Sequence, residues 1–96
     1  MEKAAIIEKL REFKQEFSNR YGVTKIGIFG SVARDQDKEG SDIDIVVEME
    51  KPNLFYMVHI KDELEKMLNV PVDIVRYRAA MNRYLKVRID NEAFYV

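Results

Sequence analysis

Two aspartates stand two positions apart in the segment Asp42-Ile-Asp44 of this 96-residue chain. Side chains at this spacing on a strand point to the same face, with their Cα atoms about 6.6 Å apart. Ile43 and Ile45 alternate with them, so burial of the apolar face directs both carboxylates into one site. Mg²⁺ prefers one or two carboxylates together with water and substrate phosphate. The sequence therefore predicts a site for metal-bound phosphate at Asp42 and Asp44.

A glycine–serine pair and an arginine precede these aspartates. Gly30 and Ser31 directly follow an apolar run, and Arg34 lies three residues after Ser31. If Ser31 opens a helical turn, its N–H groups and hydroxyl form an anion nest where glycine permits close approach. Arg34 is then placed to reach a phosphate tail, although an exposed arginine more often only aids solubility. We expect phosphate to lie between this nest and the metal ions.

A third carboxylate, Asp73, stands between Val72 and Ile74 in another β-branched run. The two apolar neighbours share one face of the predicted strand, and Asp73 projects from the other. Burial raises the pKa of a carboxyl group unless a metal ion or a cation compensates its charge. Asp73 is therefore expected either to join the metal site or to form a salt bridge with Arg76 or Arg78.

Other catalytic classes fit the sequence less well. The only histidine, His59, shares a predicted helix face with charged residues, which indicates a position in solvent. Serine-hydrolase chemistry at Ser31 would have no histidine as its general base. The segment 27–30 has the length of a KH-domain loop, but its interior Ile-Phe belongs to a strand. The absence of cysteine excludes disulfides, thiolate zinc sites and a cysteine nucleophile.

Length and composition indicate one small cytoplasmic domain. Ninety-six residues with 47% hydrophobic residues support one core, so residues 1–96 are predicted to form a single domain. The N-terminus is too charged for a secretory signal, and no apolar run approaches the roughly 18 residues that span a bilayer. We therefore expect no membrane partner.

Charge is nearly balanced, with a formal net charge of −1. This predicts no bulk attraction to polyanions, so direct nucleic-acid binding is not expected. One local exception lies between residues 74 and 89, where five basic residues occur without an acidic one. This basic segment is either a solvated helix face or a docking surface for a partner. Its members are Arg76, Arg78, Arg83, Lys86 and Arg88.

The elements that must position these residues follow from apolar spacing. Ile6, Leu10, Phe13 and Phe17 form a helical stripe that ends near Gly22. A second helical stripe begins after Pro52, and Asn53 is placed to cap that helix. The order of elements predicts an α/β or α+β domain with helices packed on a small mixed sheet. The predicted helices cover residues 4–17, 54–68 and 79–89, and the predicted strands cover 25–29, 42–48, 70–77 and 93–96.

The combined pattern resembles the nucleotidyltransferase superfamily that includes DNA polymerase beta. It consists of Gly30-Ser31, ten residues, Asp42-Ile-Asp44 and a later strand aspartate, Asp73. The length and the ending Ile89-Asp-Asn-Glu-Ala-Phe-Tyr-Val96 resemble the minimal nucleotidyltransferases. These are the MNT or MntA-like antitoxins encoded beside HEPN-domain (HepT-like) toxins. The resemblance implies a polymerase beta-like nucleotidyltransferase fold.

The same resemblance implies an activity and residue roles. It implies transfer of AMP from ATP to a hydroxyl, in the toxin-linked branch to a tyrosine of the HEPN toxin. Asp42 and Asp44 would hold two Mg²⁺ ions, and Asp73 would bind the catalytic metal and help to deprotonate the acceptor. Gly30 and Ser31 would hold the β- and γ-phosphates.

One position departs from the family pattern, and two other functions stay open. Members often have glycine after Ala-Arg, whereas this chain has Asp35. Asp35 either points outward or weakens ATP binding. The chain could instead be an antitoxin that acts by binding alone, with the basic segment as its docking face. It could also modify a small molecule such as an aminoglycoside.

Overall fold

The computed structural model describes residues 2–36 and 42–96. Helices and strands alternate along most of the chain, as the apolar spacing predicts. The helices are α1 (Lys3–Tyr21), α2 (Gly30–Ala33), α3 (Leu54–Leu68) and α4 (Arg83–Glu92), and the strands are β1 (Val23–Phe29), β2 (Ile43–Met49), β3 (Val72–Arg76) and β4 (Phe94–Tyr95).

The four strands form one mixed sheet in the spatial order β3-β2-β1-β4. β1 is antiparallel to both β2 and β4, whereas β2 and β3 are parallel. Parallel neighbours need a crossover connection, which α3 supplies here. The predicted α/β class, with helices packed on a small mixed sheet, is therefore confirmed.

The two faces of the sheet are covered by different helices. Ile45 and Val47 of β2 lie in the large core with α1 and α3, whereas Val46 between them packs with Ile89 of α4. All three are completely or almost completely buried. A strand that is covered on both faces reads as a continuous apolar run, as the central strand β2 does. The predicted α1 stripe is buried throughout.

Local caps set the helix boundaries. α1 ends at Tyr21 and is followed by Gly22, which has φ of 66°. α3 covers the residues predicted for it, and the Asn53 side chain caps its start by accepting a hydrogen bond from the Tyr56 N–H. The predicted start of the last helix at residue 79 is wrong. The Asn82 side chain accepts the Leu85 N–H, so the helix begins only at Arg83.

The remaining expectations concern surface position. The polar stretch predicted over residues 33–40 is at the surface up to Gln36, and its remainder lies outside the described residues. His59 is exposed, as expected. Among the helices of the described ranges, none combines the length and the apolar character needed to cross a bilayer.

Candidate phosphate and metal site

The Gly30-Ser31 turn joins the end of β1 to α2 and lies against Asp44. Gly30 has φ of +73°, in the left-handed region that glycine adopts without strain. Phe29 pairs with Asp44 across the sheet, and a Cβ at position 30 would collide with the Asp44 carboxylate. Position 30 therefore has a backbone conformation that favours glycine, and a side chain there would have to displace the Asp44 carboxylate. Ser31 lies in the first turn of α2 and is partly exposed, as the anion-nest prediction requires.

The parallel register of β2 and β3 places Asp44 beside Asp73. Paired residues on neighbouring strands project to the same face, and the strands are about 4.8 Å apart. Asp42 immediately precedes β2 and is exposed, two positions from Asp44. The structure thus brings all three predicted carboxylates to one end of two adjacent strands, beside the Gly30 turn.

Of the two alternatives for Asp73, the salt bridge with Arg76 or Arg78 is not formed in the part of the chain that the structure describes. Asp73 is exposed, and none of the ion pairs of the described residues includes it. Arg76 lies three positions further along β3, and an odd spacing on a strand turns the two side chains to opposite faces.

The electrostatics of Asp44 reflect this arrangement. Burial is the largest cause that raises the pKa of Asp44 above its ordinary value of 3.8. The negative charge of Asp73 raises this pKa further, and that of Asp42 does so to a smaller extent. The positive charges of Arg88 and Arg34 act in the opposite direction. The carboxylates therefore repel one another, and a bound divalent cation would relieve that repulsion.

The carboxylates at this end of the sheet match the ligands that Mg²⁺ takes. Within residues 2–36 and 42–96, no three carboxylate or imidazole side chains lie close enough to hold one ion between them. Mg²⁺ needs no such cage, because it takes one or two carboxylates and completes its octahedron with water and phosphate oxygens. The pairs Asp42–Asp44 and Asp44–Asp73 supply that number, so the residues present fit this ion.

A fourth carboxylate, Glu92 at the end of α4, lies at the same turn. Its Oε2 atom accepts a hydrogen bond from the Gly30 N–H at 3.2 Å, and its Oε1 atom accepts one from Arg34 Nη1 at 2.8 Å. Arg88 Nη2 is 3.9 Å from Oε2. Two of the three residues predicted to bind phosphate oxygens, Gly30 and Arg34, thus donate to carboxylate oxygens of Glu92. A phosphate would have to displace Glu92 to reach these donors.

Nothing in the sequence singles out Glu92, because it is 62 positions away from Gly30. Asp35, the departure from the family pattern, has φ of 57° and a side chain that is 74% exposed. Its Oδ2 atom is 3.8 Å from Lys3 Nζ on α1. Of the two expectations for Asp35, the structure supports the outward one.

Replacing Glu92 by alanine is expected to lower the free energy of unfolding by about 2 kcal/mol, because two hydrogen bonds assisted by charge are lost. These bonds join α4 to the Gly30 turn. Urea unfolding measures the change. Glu16→Ala is the matched control, since Glu16 is an exposed residue of α1, and it should change stability by no more than about 0.5 kcal/mol. Equal effects of the two substitutions would contradict this role of Glu92.

Replacing Asp44 by asparagine is expected to stabilise the fold in the absence of divalent ions. The pKa of Asp44 is raised on folding, so its ionised form destabilises the folded state above that raised pKa. The penalty disappears as the pH falls to the ordinary value of 3.8. The stability difference between Asp44→Asn and the wild type should therefore be positive at pH 7.5 and shrink toward pH 4. Urea unfolding with EDTA at both pH values tests this, and a difference that grows on acidification would contradict it.

Comparison with known proteins relates this geometry to a family. The model of the nucleotidyltransferase domain family matches residues 10–96. The protein adenylyltransferase MntA of Thermococcus cleftensis is 42% identical over 67 residues, which cover 69% of this chain and 68% of the relative.

Solved structures show the same fold. A structure of a minimal nucleotidyltransferase has a TM-score of 0.79 and 33% identity, and the match covers 98% of this chain and 95% of the other. The structure of a tri-AMPylated Shewanella oneidensis HEPN toxin with its MNT antitoxin has a TM-score of 0.66 and 21% identity. That match covers 95% of this chain and 70% of the other. At this lower identity the similarity concerns the fold alone.

Proposed function

The chain belongs to the nucleotidyltransferase domain family, and from this membership we propose that it is a protein adenylyltransferase that transfers AMP from ATP to a partner protein. The observation that carries the proposal is the position of Asp44, which lies beside Asp73 in the sheet and against Gly30 in the turn. In this proposal the carboxylates would hold a metal ion, and the turn would donate hydrogen bonds to phosphate oxygens, at one end of the same strands. This is the chemistry that transfer of a nucleoside monophosphate requires.

In this proposal Asp42 and Asp44 would hold two Mg²⁺ ions, and Asp73 would bind the catalytic metal and help to deprotonate the acceptor. The acceptor oxygen forms a bond to the α-phosphorus of ATP while the bond between that phosphorus and the bridging oxygen breaks. Pyrophosphate leaves, and the hydroxyl proton passes to Asp73 or to water. Bound Mg²⁺ would stabilise the negative charge on the attacking and leaving oxygens.

Gly30, Ser31 and Arg34 are proposed to bind the β- and γ-phosphates. This part of the proposal is supported by two hydrogen bonds: the Gly30 N–H and the Arg34 guanidinium both donate to carboxylate oxygens of Glu92. A phosphate offers oxygens with a similar charge and hydrogen-bonding capacity. Binding of ATP would therefore displace Glu92 from at least one of these donors.

The proposed acceptor is a tyrosine hydroxyl of a HEPN-domain toxin, and the chain would act as its antitoxin. The named Shewanella complex, in which the HEPN toxin is tri-AMPylated, supports both the partner and the modification. Residues 1–96 are proposed to act as one minimal domain in the cytoplasm.

The test is the intact mass of the purified product of the neighbouring gene after incubation with this chain, Mg²⁺ and ATP. A gain of one or more AMP units that is absent with Asp42→Asn is expected. An unchanged mass, with a stable complex between the two proteins, would instead favour an antitoxin that acts by binding alone. Transfer to an aminoglycoside but not to the protein would favour the small-molecule activity.

A further inference from the structure

Among the described residues, β3 has a hydrogen-bonded neighbour on one side only, because it ends the sheet. The Tyr77 N–H donates to the Val47 carbonyl oxygen at 2.8 Å, so this backbone group faces β2. Successive residues of a strand direct their backbone groups to alternate sides. The N–H and C=O groups of Ile74 and Arg76 therefore point away from the sheet. They are free to pair with another extended chain.

A groove runs along this free edge. It is open to solvent and has a volume of about 570 Å³ between the start of α3 and β3. Leu54, Met57 and Ile74 form its apolar wall, and Arg76 and Arg78 lie at its rim. Leu54 is 84% exposed. An exposed apolar wall beside unpaired backbone groups is the arrangement that binds a peptide as an added strand.

The charges at the rim indicate what kind of segment would fit. Neither Arg76 nor Arg78 belongs to any of the ion pairs found among residues 2–36 and 42–96. Of the other basic residues of this segment, Lys86 pairs with Asp90 and Arg88 with Glu92, whereas Arg83 on α4 is also in none of these pairs. Arg76 and Arg78 thus leave uncompensated positive charge at the groove, where it complements a carboxylate of the incoming segment.

The edge also lies beside the candidate metal site. Asp73 is the neighbour of Ile74 on β3 and projects to the opposite face of the sheet. A strand added at about 4.8 Å would place one residue beside Asp73 and the next beside Ile74. The first residue would reach the carboxylates, and the second would enter the apolar groove.

We propose that the free edge of β3 binds the acceptor segment of the partner protein as an added strand. The segment places its acceptor hydroxyl beside Asp73, an adjacent apolar side chain against Leu54 and Met57, and an acidic side chain on Arg76 or Arg78. The proposal rests on the function proposed above and adds to it the surface that selects the acceptor.

Amide hydrogen exchange tests the strand pairing directly. The ¹⁵N-labelled chain is measured by NMR alone and in complex with the unlabelled HEPN-domain product of the neighbouring gene. The amides of Ile74 and Arg76 should exchange at least about tenfold more slowly in the complex. The amides of Val72 and Tyr77 are internal references, because they already donate to Glu65 Oε2 and to Val47. A stable complex with unchanged exchange at Ile74 and Arg76 would overturn the proposal.

Substitutions test the groove independently. Leu54→Lys and Arg78→Glu should each weaken the complex at least about tenfold, without changing the affinity for Mg²⁺ and ATP. Val87→Lys and Arg83→Glu introduce the same changes at exposed positions of α4 and should have little effect. Unchanged partner affinity of both groove variants would exclude this surface.

The outcomes also separate this proposal from the proposed function. Protection of the edge amides without any transfer of AMP would support docking at the β3 edge and reject the enzymatic activity. Transfer that depends on Asp44 but not on Leu54 or Arg78 would support the enzymatic activity and reject docking at this edge. Protection of the edge amides by an oligoribonucleotide, but not by the partner protein, would assign the edge to nucleic acid and reject the docking proposal.

Discussion

Asp44→Asn should lower the rate of AMP transfer at least about a thousand-fold, while affinity for the partner protein stays within about twofold. The substitution keeps the shape of the side chain and removes its charge. Asp44 is the carboxylate that links the two parts of the site, because it pairs with Asp73 in the sheet and lies against the Gly30 turn. Loss of its charge would weaken the binding of Mg²⁺ by the proposed site. Initial rates with labelled ATP and the partner protein provide the measurement.

The matched control is Asp62→Asn, which makes the same change at an exposed carboxylate of α3. It should retain the full rate. Addition of EDTA to the wild type should reproduce the loss seen with Asp44→Asn. Urea unfolding of the variant and the wild type in the assay buffer establishes that both are folded under the conditions of the rate measurement. Transfer within about tenfold of the wild-type rate would show that Asp44 is not an essential metal ligand.

Features that depend on neighbouring residues in the sequence were predictable. The stripe of α1, the cap of α3 at Asn53 and the apolar face of β2 all follow from spacing within one element. The same holds for Asp42 and Asp44, whose common face results from strand alternation. Gly30 is a similar case, because its place directly after an apolar strand already indicates a turn.

Features that depend on packing between distant segments were not predictable. Glu92 reaches Gly30 only because α4 crosses the face of the sheet opposite α1 and α3. The predicted start of α4 is too early because Ala79 and Ala80 are compatible with a helix, whereas the Asn82 cap determines the boundary. The pairing of Asp44 with Asp73 required the parallel register of β2 and β3, which apolar spacing does not encode.

The largest expected effect on stability belongs to Gly30→Ala, and Gly22→Ala is its matched control. Both glycines have positive φ, +73° at Gly30 and +66° at Gly22. At Gly22 the nearest heavy atom to an added Cβ is Glu50 Cβ at 3.9 Å, so only the backbone strain of about 1 kcal/mol applies. At Gly30 the added Cβ also collides with the Asp44 carboxylate. We therefore expect Gly30→Ala to lower the free energy of unfolding by about 3 kcal/mol.

Gly30→Ala should in addition reduce AMP transfer at least about a hundredfold, because the displaced Asp44 carboxylate no longer has its binding geometry. Gly22→Ala should keep most of the activity. A double-mutant cycle with Asp44→Ala separates the collision from the backbone strain. In Gly30→Ala/Asp44→Ala the nearest remaining atom of residue 44 is its Cβ, at 3.4 Å, so part of the lost stability should return while transfer stays abolished. Strictly additive stability changes would show that residues 30 and 44 do not interact. They would contradict the close contact between the Gly30 turn and Asp44 of β2.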